Sequence, residues 1–283
     1  MSSKVCKFCE KSPAIDNSHL IPSFIYKWIK DTSPTGYMRA TNEPNKRQQD
    51  GYKSALLCES CEEKFSKSED LFKKELFNKI ANYRKPCPEK LSITNNIRTC
   101  LYIIAWRVLA DAYHFPKEND YTDDEINEFP NFIADMKSAI NSGTTDKFKT
   151  HIIPCTKDVL TQLGLPKVDW YFYDRMTGAE PRIWDNWERF IIFIKIPSAI
   201  VAFEVVPNDN DDWSGTQIDK VESISLSKIK SIPSYISDLV SFFHRAFVAS
   251  KGEVTELQQE KMKNDILAGD LECGAIKSLN KTW

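Results

Sequence analysis

The sequence predicts an α+β fold in two parts, a small N-terminal module followed by a larger helix-rich domain, and three observations carry that expectation. Two Cys-x-x-Cys pairs, Cys6 with Cys9 and Cys58 with Cys61, lie in an otherwise irregular and polar N-terminal third. Downstream, apolar runs of helical period come first, runs rich in β-branched and aromatic residues next, and helical runs again last; strands and helices do not alternate as in a doubly wound sheet. Pro86 and Pro88 interrupt the chain after the first long helical run and divide residues 1–85 from 86–283.

The elements follow in order. Pro22 suits the first turn of a short helix over Ser23–Asp31, with Phe24 and Trp28 four apart on one face. Thr32–Gly51 contains Pro34, Gly36, Pro44 and Gly51 and reads as loop. Phe65, Phe72, Leu76 and Ile80 then fall near helical spacing, with Glu62, Glu63, Lys64, Lys67, Lys73 and Lys74 outside, which predicts a helix to about Asn82. Ile97–Tyr113 is apolar nearly all round, the pattern of a central buried helix, and Ile126, Phe129, Ile133, Met136 and Ile140 stripe the next one. Strands are predicted over Val168–Tyr173, Phe190–Ile196, Ala199–Val206 and Ile224–Ile229, the middle two joined as a hairpin at Pro197-Ser198. Helices near Ser234–Ala249 and Thr255–Leu267 close the chain.

Two thiolates separated by two residues can wrap one tetrahedral ion, and two such knuckles supply all four ligands of a closed zinc site. The alternatives are ordinary buried cysteines or a disulfide framework. Met1-Ser-Ser-Lys leads straight into the first knuckle with no apolar leader, so a reducing, cytoplasmic setting and a structural Zn²⁺ on Cys6, Cys9, Cys58 and Cys61 are the expectation. Cys87, Cys100, Cys155 and Cys273 lack this spacing and read as core or incidental residues. No apolar run is long enough to cross a bilayer, so no membrane partner is expected. The formal net charge of −2 divides unevenly: residues 1–90 hold 17 Lys+Arg against 12 Asp+Glu, and 91–283 hold 21 against 28, giving +5 and −7. This separation favours a polyanion near the N-terminal module, and a solvated lysine-rich helix would give the same count.

Between the knuckles lies Ser18-His19-Leu20-Ile21-Pro22, and Leu57-Cys58-Glu59-Ser60-Cys61-Glu62 forms the second knuckle. With Cys6 and Cys9, these residues resemble the four-cysteine branch of the HNH, or ββα-metal, endonucleases over roughly the first eighty residues and none of the remainder. The resemblance implies a zinc-stapled ββα-metal module in which His19 is the general base, and a catalytic Mg²⁺ or Mn²⁺ acting on the scissile phosphate. It implies a nucleic-acid substrate, DNA first, with contacts from Lys46, Arg47 and Lys53. It further implies a prokaryotic anti-phage effector working beside a sensor or ATPase partner; residues 86–283 lie outside the resemblance and form an α+β domain of unknown role, regulatory, substrate-binding or partner-binding.

The residues depart from the family pattern where the ion would bind. Ser18 stands where an acidic residue is common, Lys53 falls near the usual asparagine, and Glu62 follows the last cysteine. Either a variant ion site is built from Asp50 with Glu62 or Glu69, or the catalytic metal is lost and the module is a nucleic-acid or protein adaptor. The bland readings are a core His19, Glu62 and Glu69 on a solvated helix face, and Asp50 in a turn before Gly51.

Other features read as structural. The Thr150-His151-Ile-Ile-Pro154 string lacks flanking knuckles and is taken as coincidence. His114 and His244 are expected at core or boundary positions. The aromatic cluster Trp170, Tyr171, Phe172, Tyr173, Trp184 and Trp187 is expected in the core rather than stacked on bases, and Asn208–Trp213 as a solvated acidic turn.

Overall fold

The two most β-rich runs pair as expected. In the computed structural model, which describes residues 5–117, 121–165, 168, 170–184, 187–270, 272 and 274, β6 (Arg189–Ile196) and β7 (Ala199–Val206) form an antiparallel hairpin whose turn is Pro197-Ser198. Ser198 takes φ +62°, the left-handed conformation of the second turn residue after a proline. Its hydroxyl donates to Asp174 Oδ2 at 3.3 Å. Two further strands complete a four-stranded sheet in the order β4-β7-β6-β5, with β4 at Lys149–Pro154 and β5 at Gly178–Trp184. Pro181 sits within β5, an edge strand, where its missing N–H costs no ladder bond.

Several expectations are corrected here. The His-Ile-Ile-Pro string at 151–154, which no knuckle flanks, forms the body of a strand the sequence did not announce, β4, and His151 is buried, stacked on Trp213 at 3.8 Å and hydrogen-bonded to Thr216 and Glu204. Trp213 anchors the acidic loop to the sheet, and the Asp211 side chain, 5% exposed, pairs with Arg189 at 2.8 Å and accepts from Tyr235, while Asp209, Asn210 and Asp212 stay exposed. Instead of a strand, Trp170–Tyr173 is a short helix, α7, because Trp170 and Tyr173 one turn apart pack edge to face at 5.1 Å. Of the expected strand at Ile224–Ile229, only β8 (Ser223–Ser225) forms, paired with β3 (Lys90–Ser92), and a 3₁₀ turn over Leu226–Lys228 ends it. Trp170 and Tyr173 are buried, and Trp184 and Trp187 pack against the core. His114 is an exposed residue at a helix end, and Cys273 lies outside the described residues.

The helices follow the sequence closely. α1 spans Ser23–Asp31, α2 Glu59–Phe72, and a π-helical turn over Lys73–Phe77 carries α2 into α3 (Asn78–Ile80). α4 (Asn95–His114) is buried along most of its length, which is why its sequence shows no polar face. α5 (Asp123–Ser142) starts from a Thr122–Glu125 capping box and ends at Gly143 in the left-handed conformation. α6 (Lys157–Gln162) follows β4, and α8 (Ser234–Gly252) and α9 (Glu256–Ala268) close the fold.

No break in the core separates residues 1–85 from the rest. One hydrophobic cluster runs from Cys6 and Phe8 through α2 and α4 to the sheet. Phe8, beside the first knuckle, packs edge to face on Phe65 of α2 at 4.8 Å and on Trp106 of α4 at 5.1 Å. Arg107, also on α4, is 1% exposed and spans two carboxylates of α2, Glu69 Oε1 at 2.6 Å and Glu62 Oε2 at 3.0 Å. The N-terminal module is thus fastened to the central helix by both apolar and ionic contacts.

Candidate functional site: a four-thiol cluster beside a His–Asp pair

The four knuckle cysteines converge. Their sulfurs all lie within 4.8 Å of one another, and they are the only group of three or more His, Cys, Asp or Glu side chains among the described residues so arranged. Cys9 Sγ and Cys58 Sγ are 3.7 Å apart, close to the edge of about 3.8 Å that a tetrahedron of sulfurs has at the Zn–S distance of about 2.3 Å. The chain is built to present them. Lys7 N–H donates to the Leu56 carbonyl at 2.7 Å and Ile15 N–H to that of Leu57 at 2.8 Å, so the first knuckle is laced to the segment entering the second. Cys58 is the N-cap of α2, and Cys61 lies in its first turn.

The thiols divide electrostatically. Burial works to raise Cys58, yet the Ser60 hydroxyl, the Cys61 amide and neighbouring thiols outweigh it and bring Cys58 down to about 6. Burial and the adjacent sulfurs push Cys61 up. Four thiols crowded this closely favour a bound cation, which would ionise them together. The donor set, all sulfur and mostly buried, fits a structural zinc and leaves no ligand position for a substrate.

Next to this cluster, β1 (Ser18–His19) pairs antiparallel with β2 (Lys53–Ser54), placing Ser18 opposite Ser54 and His19 opposite Lys53. Along the chain the order is strand, helix, strand, helix, because α1 lies between β1 and β2. Ser18 is fully buried and its Oγ accepts from Leu57 N–H at 3.0 Å, so it serves the backbone leading into the second knuckle. His19 is partly open, its side chain 18% exposed. Its Nε2 lies 2.8 Å from Asp50 Oδ1, and its ring leans on Tyr26 at 5.8 Å. Asp50 also receives Gly51 N–H at 2.9 Å on Oδ1 and Lys53 Nζ at 2.7 Å on Oδ2. Burial opposes ionisation of Asp50, but the hydrogen bonds from Lys53, His19 and Gly51 prevail and hold its carboxyl down at about 2. At neutral pH this carboxylate is charged and fixed between an imidazole and an ammonium.

Gly51 is what allows this packing. A Cβ at this position would lie 1.9 Å from the Tyr26 ring, which is itself buried. Gly51→Ala is expected to displace Tyr26, lower stability by about 1–3 kcal/mol and loosen the His19–Asp50 pair. Thermal denaturation, together with the His19 imidazole resonances, checks this; an unchanged midpoint with unchanged resonances would contradict it.

The expected ion site does not assemble. Glu62 and Glu69 are committed to Arg107, away from the Asp50 carboxylate, which is itself occupied by His19, Gly51 and Lys53. Asp50, Glu62 and Glu69 do not converge as a group of three ligands among the described residues. Lys46 stays exposed beside Glu43, and Arg47 is paired with Asp265 of α9 at 2.7 Å. Sequence reasoning missed both Arg107, hidden in an apolar run, and the contacts of α9, whose partners are more than two hundred residues away in the chain. Comparison with family models, curated proteins and solved structures finds no match to this chain. The site therefore defines an α+β protein with a four-cysteine cluster that could hold zinc, and no helix long and apolar enough to cross a membrane among the described residues.

Proposed function

We propose that this protein hydrolyses phosphodiester bonds of a nucleic acid, DNA in the first instance, with His19 as general base. The observation that carries the reading is the His19–Asp50 pair at 2.8 Å, partly open on the β1–β2 pair beside four clustered thiols, at the residues that carry the HNH-type resemblance. With Nε2–H donated to Asp50, the lone pair sits on Nδ1, which takes the proton from the attacking water. Asp50 fixes this tautomer and stabilises the imidazolium as it forms, the orienting role a carboxylate plays behind a catalytic histidine. Lys53, opposite His19 in the register and held by Asp50 Oδ2, places a cation on the same carboxylate as the base. No step is assigned to a divalent ion here.

The Lys53–Asp50 contact also favours a second reading, a module that binds nucleic acid or protein without cutting. Incubation of purified protein with supercoiled plasmid and single-stranded DNA, with Mg²⁺, Mn²⁺ or EDTA, separates the two. Hydrolysis is expected in wild type and is expected to fall by about 10²–10⁴-fold in His19→Ala, the range lost with a general base. Equal cleavage by both proteins would remove His19 from the reaction, and retained DNA binding with no cleavage would leave the binding module.

A further inference from the structure

The loop that delivers Asp50 to His19 meets α9 and the turn before it through several polar contacts. Tyr37 is the centre of the arrangement: the guanidinium of Arg47 lies over its ring at 4.7 Å and that of Arg39 at 5.4 Å, and its hydroxyl donates to Asp265 Oδ2 at 2.9 Å. Asp265 Oδ2 also accepts from Arg47 Nη2 at 2.7 Å. Arg39 Nη2 donates to Gln258 Oε1 at 3.0 Å, while its Nε is buried with no hydrogen-bond partner. Asn45 clasps the turn into α9 at both ends of its amide, donating to the Glu253 carbonyl at 3.0 Å and accepting from Thr255 N–H at 2.9 Å.

Two guanidiniums over one tyrosine present N–H donors suited to oxyanions; Arg47 spends one on Asp265, and Arg39 donates to the Pro44 carbonyl at 2.6 Å as well as to Gln258. The cover itself is weakly held. α9 buries no residue, and the Arg47–Asp265 pair is 44% and 32% exposed, so the contact is screened by salt and open to exchange. A phosphate, anionic like the Asp265 carboxylate, can take its place as acceptor on the same guanidinium donor.

We infer that the Tyr37–Arg39–Arg47 face binds the phosphate backbone of a nucleic acid, and that α9 covers it as a displaceable acidic competitor. This rests on the reading of the chain as a nucleic-acid phosphodiesterase, and it places the substrate contacts on the loop that carries Asp50. Lys46 and Lys53 flank the same loop.

The test is fluorescence anisotropy of a labelled DNA duplex with the full chain, all variants made on His19→Ala so that nothing is cut. Asp265→Asn is expected to tighten binding by about two- to fivefold, the competition an exposed ion pair can offer. It is also expected to steepen the fall of log K with log salt by about 0.9 for the freed arginine. Adding Arg47→Ala to Asp265→Asn is expected to return both quantities to the starting value. Unchanged circular dichroism and zinc content show that the variants are folded. Equal affinity and salt slope with and without Asp265→Asn would overturn the inference, as would a gain that survives Arg47→Ala or one seen for polyglutamate but not for the duplex. Plasmid cleavage by the protein with His19 intact is scored separately: cleavage without the anisotropy change sinks only this inference, and the anisotropy change without cleavage sinks only the hydrolase.

Discussion

Cys61→Ser, or exposure of the wild-type chain to a strong chelator, is expected to unfold the N-terminal module and lower the thermal midpoint more than any other change described above. Cys61 lies in the first turn of α2 and Cys58 caps it, while Cys6 and Cys9 sit on a segment with little regular structure of its own. Without a cation, four sulfurs within 4.8 Å of one another retain only each other and a few hydroxyl and amide contacts. Binding of a structural zinc to four thiolates contributes on the order of 10 kcal/mol or more in small zinc domains. Here Phe8 and Phe65 remain packed on Trp106, so α4 and the sheet should survive while β1, β2 and the Asp50 loop come apart. Elemental analysis should find one zinc per chain, and hydrogen exchange should localise the loss to residues before α2. A chain with no zinc and a midpoint indifferent to chelator would exclude the structural metal.

Arg107→Ala is expected to cost about 3–5 kcal/mol, the usual result of removing one partner from a buried ion pair. Glu69 is the more deeply held of its two carboxylates, 12% exposed at the side chain against 26% for Glu62, so its unpaired charge is the more poorly solvated. Glu62 can turn toward water. The cost should accordingly shrink when the charge is removed as well: Arg107→Met with Glu69→Leu should recover most of the stability, since apolar replacements of a buried pair are often neutral or better. Denaturant titration of the single and double variants measures the difference. If Arg107→Ala changes the midpoint by less than an ordinary surface substitution, the pair is not what binds α2 to α4.

Much of the fold could be read locally. The helix over Ser23–Asp31, the buried helix from Asn95 to His114 and the hairpin turning at Pro197-Ser198 depend on period and turn chemistry that any short window of the sequence contains. β4 and β5 did not announce themselves. β4 carries a histidine and a proline, and β5 a proline and a glycine, so both read poorly as strands until they align with β7 and β6. Trp170–Tyr173 shows the opposite failure: an aromatic run of strand composition became a turn of helix because its rings pack one turn apart.

The candidate site divides in the same way. Sequence alone determined the four cysteines, because a Cys-x-x-Cys knuckle is a local geometry and two of them close one tetrahedron. It also marked His19 and Asp50 as residues to watch. Only the tertiary structure decided what each carboxylate does: Asp50 reaches His19 across a long loop, whereas Glu62 and Glu69 turn to an arginine on another helix, and Asp265 returns from the far end of the chain to Arg47. The physical reason is that a charge takes the partner which packing brings near, and nothing in a charged residue's immediate neighbours specifies a partner forty or two hundred positions away.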